Sequence, residues 1–312
     1  MQEQTTSRGK ALPIGGLLLL CAIWAWDALR GDLLPGSASG WRVPPLMAEV
    51  MPLGIFAVLA GLGALARRAP RHGAKAQRSA ALTGLGLFVV PVLVTEWSNA
   101  WFSPATRVAL FSLTPVFAVV FAPYLADDFA AVPRHGLAAA LVAMIGTLLV
   151  FSIEIPRSAS SAIAFVGVMV AAAAVAAANC LGVEIVSRQT TGSDLSFGAV
   201  AAGSAAIGLA AAHWIFHSHR ESAATAGAWT LLDLVALALL FWLMRRMSAV
   251  RMTTRFLIAP LLANLAAIAF LRPGVQAGGW LGLTLIALGS GWLLLAAEGE
   301  PESAASSLRI DS

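Results

Sequence analysis

Residues 93–117 read LVTEWSNAWFSPATRVALFSLTPVF: two apolar runs flank the polar break SNAWFSP, and a single carboxylate, Glu96, stands just before it. The nearest cation, Arg107, lies beyond the break. An apolar run of about 20 residues suits a membrane-spanning helix. The stretch therefore reads as a hairpin of two such helices, with its turn at 98–104.

The rest of the chain supports the same solvent. Of 312 residues, 59% are hydrophobic and only 12% charged, with a mean hydropathy of +0.81. A soluble domain carries about 25% charged residues, so most of this surface faces lipid. The net charge of +4 would suit nucleic acid, but no basic run is long enough for a duplex, and nucleic acid is not an expected partner. Cys21 and Cys180 sit inside apolar segments, so they read as small buried hydrophobes and not as a disulfide framework.

Ten apolar segments are long enough to span, at roughly 11–29, 45–66, 80–98, 104–124, 136–153, 161–186, 195–215, 228–246, 253–271 and 278–297. No soluble mature sequence follows the first, so it is expected to be a retained helix. Ten spans in 312 residues leave no room for a soluble domain. The tail GEPESAASSLRIDS at 299–312 is polar and is expected to be disordered. Fourteen of the 20 lysines and arginines, among them Arg67, Arg68, Arg71, Lys75 and Arg78, fall on the side of the N-terminus. That bias predicts ten spans with both termini cytoplasmic.

Sliding the chain over itself gives a match at an offset of 145 residues. Trp97 falls on Trp242, Ser103 on Ser248, Phe111 on Phe256, Pro115 on Pro260 and Gly146 on Gly291. The fold class expected is thus an all-α integral membrane protein, ten transmembrane helices arranged as two inverted five-helix repeats. The repeats cover 1–155 and 156–298, followed by the tail at 299–312. Five is odd, so the second half enters the membrane from the opposite side. Inverted repeats are common in secondary transporters, with the site near the midplane between the halves.

The segment SPATRVALFSLTPVFAVVFAPYLADD followed by GLAAALVAMIGTLLVF resembles the end of an EamA-type repeat of the drug/metabolite transporter (DMT) superfamily. Its partner, MSAVRMTTRFLIAPLLANLAAIAFL followed by GGWLGLTLIALGSGWLLL, is similar to the same motif. The resemblance implies a ten-helix bundle moving small metabolites across a bacterial-type inner membrane, as an exporter, exchanger or symporter. Two departures stand out. Family repeats carry a Glu after the fourth helix of each half; Asp127 and Asp128 occupy that place in the first half, and Arg272 and Pro273 in the second. The first helix also puts Asp27 close to Trp24 and Trp26.

Ionisable groups inside spans are costly and tend to face the bundle interior. Asp27, Glu49, Glu96, Glu184 and Asp233 are the acids of this kind. Glu49 and Asp233 lie close to helix starts and could reach the interface. Asp27 could pair with Arg30, and Glu184 with Arg188, at one-turn spacing. Glu96 reads either as a carboxyl kept neutral in an apolar site, as proton coupling needs, or as a carboxylate reaching the interface. Trp24, Trp97 and Trp242 could line a cavity or an aromatic belt. Asn99, Asn179 and Asn264 need polar partners in lipid. Asn264 cannot reach the Phe256 carbonyl that Pro260 frees, so another helix, a water or a substrate is expected to bond it. Pro91, Pro115 and Pro260 are expected to kink their helices. Arg255, a turn into its helix, reads as an anchor or as a holder of an anionic substrate. In HWIFHSH, His213 and His217 have the spacing of two metal ligands, with His219 or Glu221 as a third, yet they sit at a solvated helix end. No metal or cofactor is expected.

The function expected is secondary transport of an amino acid, amine or similar metabolite, with the bilayer and the solute as partners, proton coupling open and a homodimer open. An integral membrane enzyme, or a non-transporting protein on the same fold, is the alternative.

Overall fold

The computed structural model describes residues 3–33, 41–43, 45–68, 73–125, 134–187, 194–217, 227–229, 231–272, 274 and 276–296. The tail at 299–312, Arg188, Asp127, Asp128, His219 and Glu221 lie outside the described residues. In hydrocarbon, backbone donors and acceptors must be satisfied within the protein, which favours helices. All described secondary structure is helical apart from two three-residue strands. The helices are α1 (Glu3–Leu33), α2 (Pro45–Ala66), α3 (Ala74–Gly84), α4 (Val90–Ser98), α5 (Pro104–Phe111), α6 (Thr114–Leu125) and α7 (Arg134–Val150). They continue as α8 (Ala159–Ser187), α9 (Asp194–His217), α10 (Leu231–Met244), α11 (Ala249–Thr253), α12 (Arg255–Leu271) and α13 (Ala277–Ala296). The strands β1 (Trp41–Val43) and β2 (Gly227–Trp229) pair antiparallel, Trp41 opposite Trp229. They join the connection after α1 to the one before α10.

Each of the ten apolar segments falls on helix. Eight helices or helix runs are long and apolar enough to cross a membrane by length and composition, and His135–Val150 and Leu231–Met244 are shorter apolar helices. The chain is by these criteria a multi-pass membrane protein. Large apolar side chains such as Val58, Ile163, Ile207 and Phe270 point outward, as a lipid-facing surface requires.

Three spans are interrupted, and not all where proline alone would place the break. A five-residue π-helical turn, Leu85–Val89, joins α3 to α4 just before Pro91. Pro91 has no N–H for the carbonyl four residues back, and the wider turn absorbs that mismatch. Residues 112 and 113 separate α5 from α6. Ser112 Oγ donates to the Ala109 carbonyl at 2.6 Å, competing with the helix ladder. Pro115 then starts α6 instead of kinking a continuous helix. In the second half the break falls at Thr254, with Pro260 inside α12. There Thr253 and Thr254 hydroxyls donate to the carbonyls of Val250 and Arg251 at 2.7 and 2.6 Å. Ser103 and Ser248 cap α5 and α11 in the same way, each accepting from the backbone N–H three residues on.

Close packing rests on small residues, as in other membrane bundles. The most extensive contacts are α7 against α13 and α2 against α9. Helix α7 runs antiparallel to α13: Gly146 meets Gly282 and Ile286, while Ala139 and Ala143 meet Gly289. Gly84 at the end of α3 lies against the Ala201 carbonyl of α9, and Gly86 of the π-helical turn against Ala178 of α8.

This geometry separates two glycines of the same helix. A Cβ at Gly282 would stand 2.7 Å from the Gly146 carbonyl oxygen, whereas one at Gly291 meets nothing within 4 Å. Gly282→Leu is expected to cost about 1–3 kcal/mol or more through overpacking, and Gly291→Ala to be neutral or slightly stabilising. Thermal unfolding of the purified variants in detergent checks this; equal midpoints for the two would contradict the packing.

Candidate functional site

Helix α1 ends where α2 and α10 begin, so acids near those termini collect at one end of the bundle. Asp27 lies near the end of the apolar part of α1, Glu49 about one turn into α2, and Asp233 in the first turn of α10. All three line a cavity of about 190 Å³, with Trp24, Pro52, Leu53, Phe88, Leu237 and Leu240 among its apolar walls. Phe88 belongs to the π-helical turn. Asp27 and Glu49 are exposed and Asp233 half-buried, so the cavity reaches the surface at the end that carries β1 and β2. Below it, Phe241 stacks on Phe56 at 5.3 Å and meets Phe88 and Phe197 at 6.4 and 6.2 Å.

Trp24 connects this cavity to a second feature. Its ring lies 5.7 Å from the guanidinium carbon of Arg255, which is only 2% exposed. Phe256 presents its ring to the same guanidinium at 4.8 Å. One Arg255 nitrogen, Nη1, donates to Asn179 Oδ1 and to the Met252 carbonyl, each at 2.9 Å. Asn179, fully buried, donates in turn to the Val175 carbonyl at 2.7 Å. Helices α1, α8 and α12 thus meet at one cation.

The remaining sequence candidates lie elsewhere. Glu96 is exposed at the end of α4 and accepts from Asn99 Nδ2 at 3.4 Å. Arg107 Nη1 donates to the Phe102 carbonyl at 3.2 Å. Trp97 covers Gly167 of α8 and packs edge-on to Trp101 at 5.4 Å. Trp242 covers Gly16 of α1 and carries Arg246 over its ring at 4.7 Å. Asn264 finds one partner within its own helix: its Nδ2 donates to the carbonyl of Pro260 itself, four residues back, at 2.8 Å. That correction follows from helix geometry, because i−4 carbonyls are in reach of a short amide side chain. Glu184 is half-buried near the end of α8. Among the described residues no three His, Cys, Asp or Glu are grouped so as to hold a metal ion.

Sequence reasoning did not foresee the convergence of Glu49 and Asp233 on Asp27, or the cavity role of Phe88. It also missed the lashing of the connection after α7 onto α5. There Ser103 N–H donates to Glu154, and Thr106 Oγ1 accepts from the Glu154 N–H and donates to the Ser152 carbonyl. Separations of about 50 residues leave no periodic signal for such contacts.

No family model matches the chain, and no curated protein matches it. Among solved structures, one crystal structure superposes with a TM-score of 0.66 at 18% identity, covering 90% of this chain and 98% of that one. That likeness is one of fold.

Asn179 is the neutral acceptor that holds a buried charge. Asn179→Leu removes it and leaves the guanidinium without that bond, a loss of about 1.5–3 kcal/mol for a hydrogen bond to a charged group. A lowered unfolding midpoint is the expected result, and an unchanged one would remove Asn179 from the account.

Proposed function

We propose that the chain is a secondary transporter that moves a small metabolite across a bacterial-type inner membrane by alternating access. The observation that carries this reading is the position of the cavity. Its walls come from α1, α2 and the π-helical turn on one side and α10 on the other, that is, from both halves defined by the offset of 145. Transporters of inverted-repeat construction bind at such a seam. Carboxylates there supply polarity, and protonatable groups for coupling, that a purely structural bundle would avoid.

Ten helices in two inverted five-helix repeats of EamA type remain the architecture we infer, and several contacts support it. Trp97 of α4 covers a glycine of α8, and Trp242 of α10 covers a glycine of α1. Those two contacts exchange when the halves are exchanged. The repeat-matched Phe111 and Phe256 stack on each other at 6.3 Å, as residues beside a two-fold axis would. Repeat-matched α7 and α13 pack antiparallel, and α6 against α8 has its counterpart in α12 against α1.

Flux in proteoliposomes under an imposed pH gradient tests the function. We expect solute movement to fall at least about tenfold in the combined Asp27→Asn, Glu49→Gln, Asp233→Asn variant. Glu96→Gln, which alters an exposed helix end, is expected to retain most of it. A broad metabolite panel without flux in the unaltered protein would sink the proposal. The inferred orientation, both termini cytoplasmic, has its own test. With Cys21 and Cys180 replaced by alanine, an impermeant thiol reagent on intact cells should label Ser158→Cys and spare Lys75→Cys; the reverse pattern contradicts it.

A further inference from the structure

We propose that Arg255 recognises an anionic oxygen group, a carboxylate or a phosphate, on the transported solute, and that Trp24 separates this point from the acid-lined mouth of the cavity. The inference rests on the transporter reading for the solute's role as cargo, and extends it to the solute's chemistry. Three features of Arg255 carry it.

The first is depth. Arg255 stands six residues into the span Ala249–Leu271, about 9 Å at 1.5 Å per residue, and its long side chain extends the charge further. A cation at that depth is costly and tends to mark a solute path.

The second is the set of partners. Asn179 Oδ1 and the Met252 carbonyl are neutral acceptors, and the faces of Trp24 and Phe256 are neutral too. Among the described residues, no carboxylate pairs with Arg255. Arg255 Nε is buried without a hydrogen-bond partner in the protein. A buried ion normally keeps a counter-ion, because desolvation is otherwise uncompensated. A planar guanidinium with donors to spare suits the two oxygens of a carboxylate or phosphate.

The third is the route. Trp24 lines the cavity and also lies against the guanidinium. It is the side chain that the two have in common, and its movement is the step that would join them. Asp27, Glu49 and Asp233 stand on the mouth side, where a solute with a cationic group as well would meet carboxylates.

Binding is readable without flux. Cys21 and Cys180 are both buried, so a coumarin maleimide that fluoresces on reaction follows unfolding of the intact chain. The probes are matched pairs at millimolar concentration: succinate with succinamide, glycerol phosphate with glycerol, and leucine with leucinamide. We expect the member that carries the carboxylate or phosphate to raise the unfolding midpoint, in at least one pair, by several degrees above the partner that lacks it. The succinate and glycerol phosphate arms separate carboxylate from phosphate; a rise confined to leucine adds a cationic group facing the three acids. Arg255→Met should abolish the difference and Arg255→Lys keep part of it. The proposal is overturned if no pair differs in the unaltered protein, or if Arg255→Met preserves the difference. Should Arg255→Met not fold, the wild-type pairs and Arg255→Lys decide. Failure of flux in liposomes would overturn transport while leaving a midpoint difference in place, so the two readings fail separately.

Discussion

A guanidinium buried in a bundle that faces lipid is the constraint on which the centre of this structure depends. Taking Arg255 out of water costs several kcal/mol unless the surroundings restore polar contact. The chain restores part of it, from three directions. Asn179 turns its amide oxygen from α8, Met252 offers a carbonyl from the turn before the helix break, and Trp24 and Phe256 present their π faces. The break at Thr254, where threonine hydroxyls draw on the carbonyls behind them, brings the Met252 carbonyl within reach of the side chain that begins α12. Buried charge, broken helix and aromatic wall are one arrangement.

The same economy explains where small residues fall. Gly146, Gly282 and Gly289 allow α7 and α13 to approach at backbone distance, and Gly84 does so for α3 and α9. The cavity lies between α1, α2, α10 and the π-helical turn.

Much of the fold was legible in sequence because lipid imposes a single strong rule. Apolar runs such as those around SNAWFSP mark helices, and each of the ten segments falls on one. The repeat match of Ser103 with Ser248 was legible too, and the structure adds that both cap helices. Breaks were read less well, since proline is visible in a sequence while hydroxyl back-bonding at Ser112 and Thr254 depends on rotamers. The site was legible as a roll of residues and not as an assembly. Asn179 and Arg255 were both candidates, yet nothing in a one-dimensional pattern joins groups 76 residues apart. Glu49 and Asp233, placed near helix starts, looked interfacial because depth along one helix says nothing of which helix ends lie beside it. Glu96, the acid that interrupts 93–117, stands at the rim, and its repeat-matched position holds the buried Phe241.

Access to the cavity wall from the two faces of the membrane tests the central claim most directly. Leu237 lines the cavity and is 8% exposed. In a background with Cys21 and Cys180 replaced by alanine, Leu237→Cys would be treated with an impermeant thiol reagent in right-side-out and inside-out vesicles. Alternating access predicts reaction in both orientations. Reaction from one face alone, with or without a pH gradient, would contradict the account and leave a fixed crevice in its place.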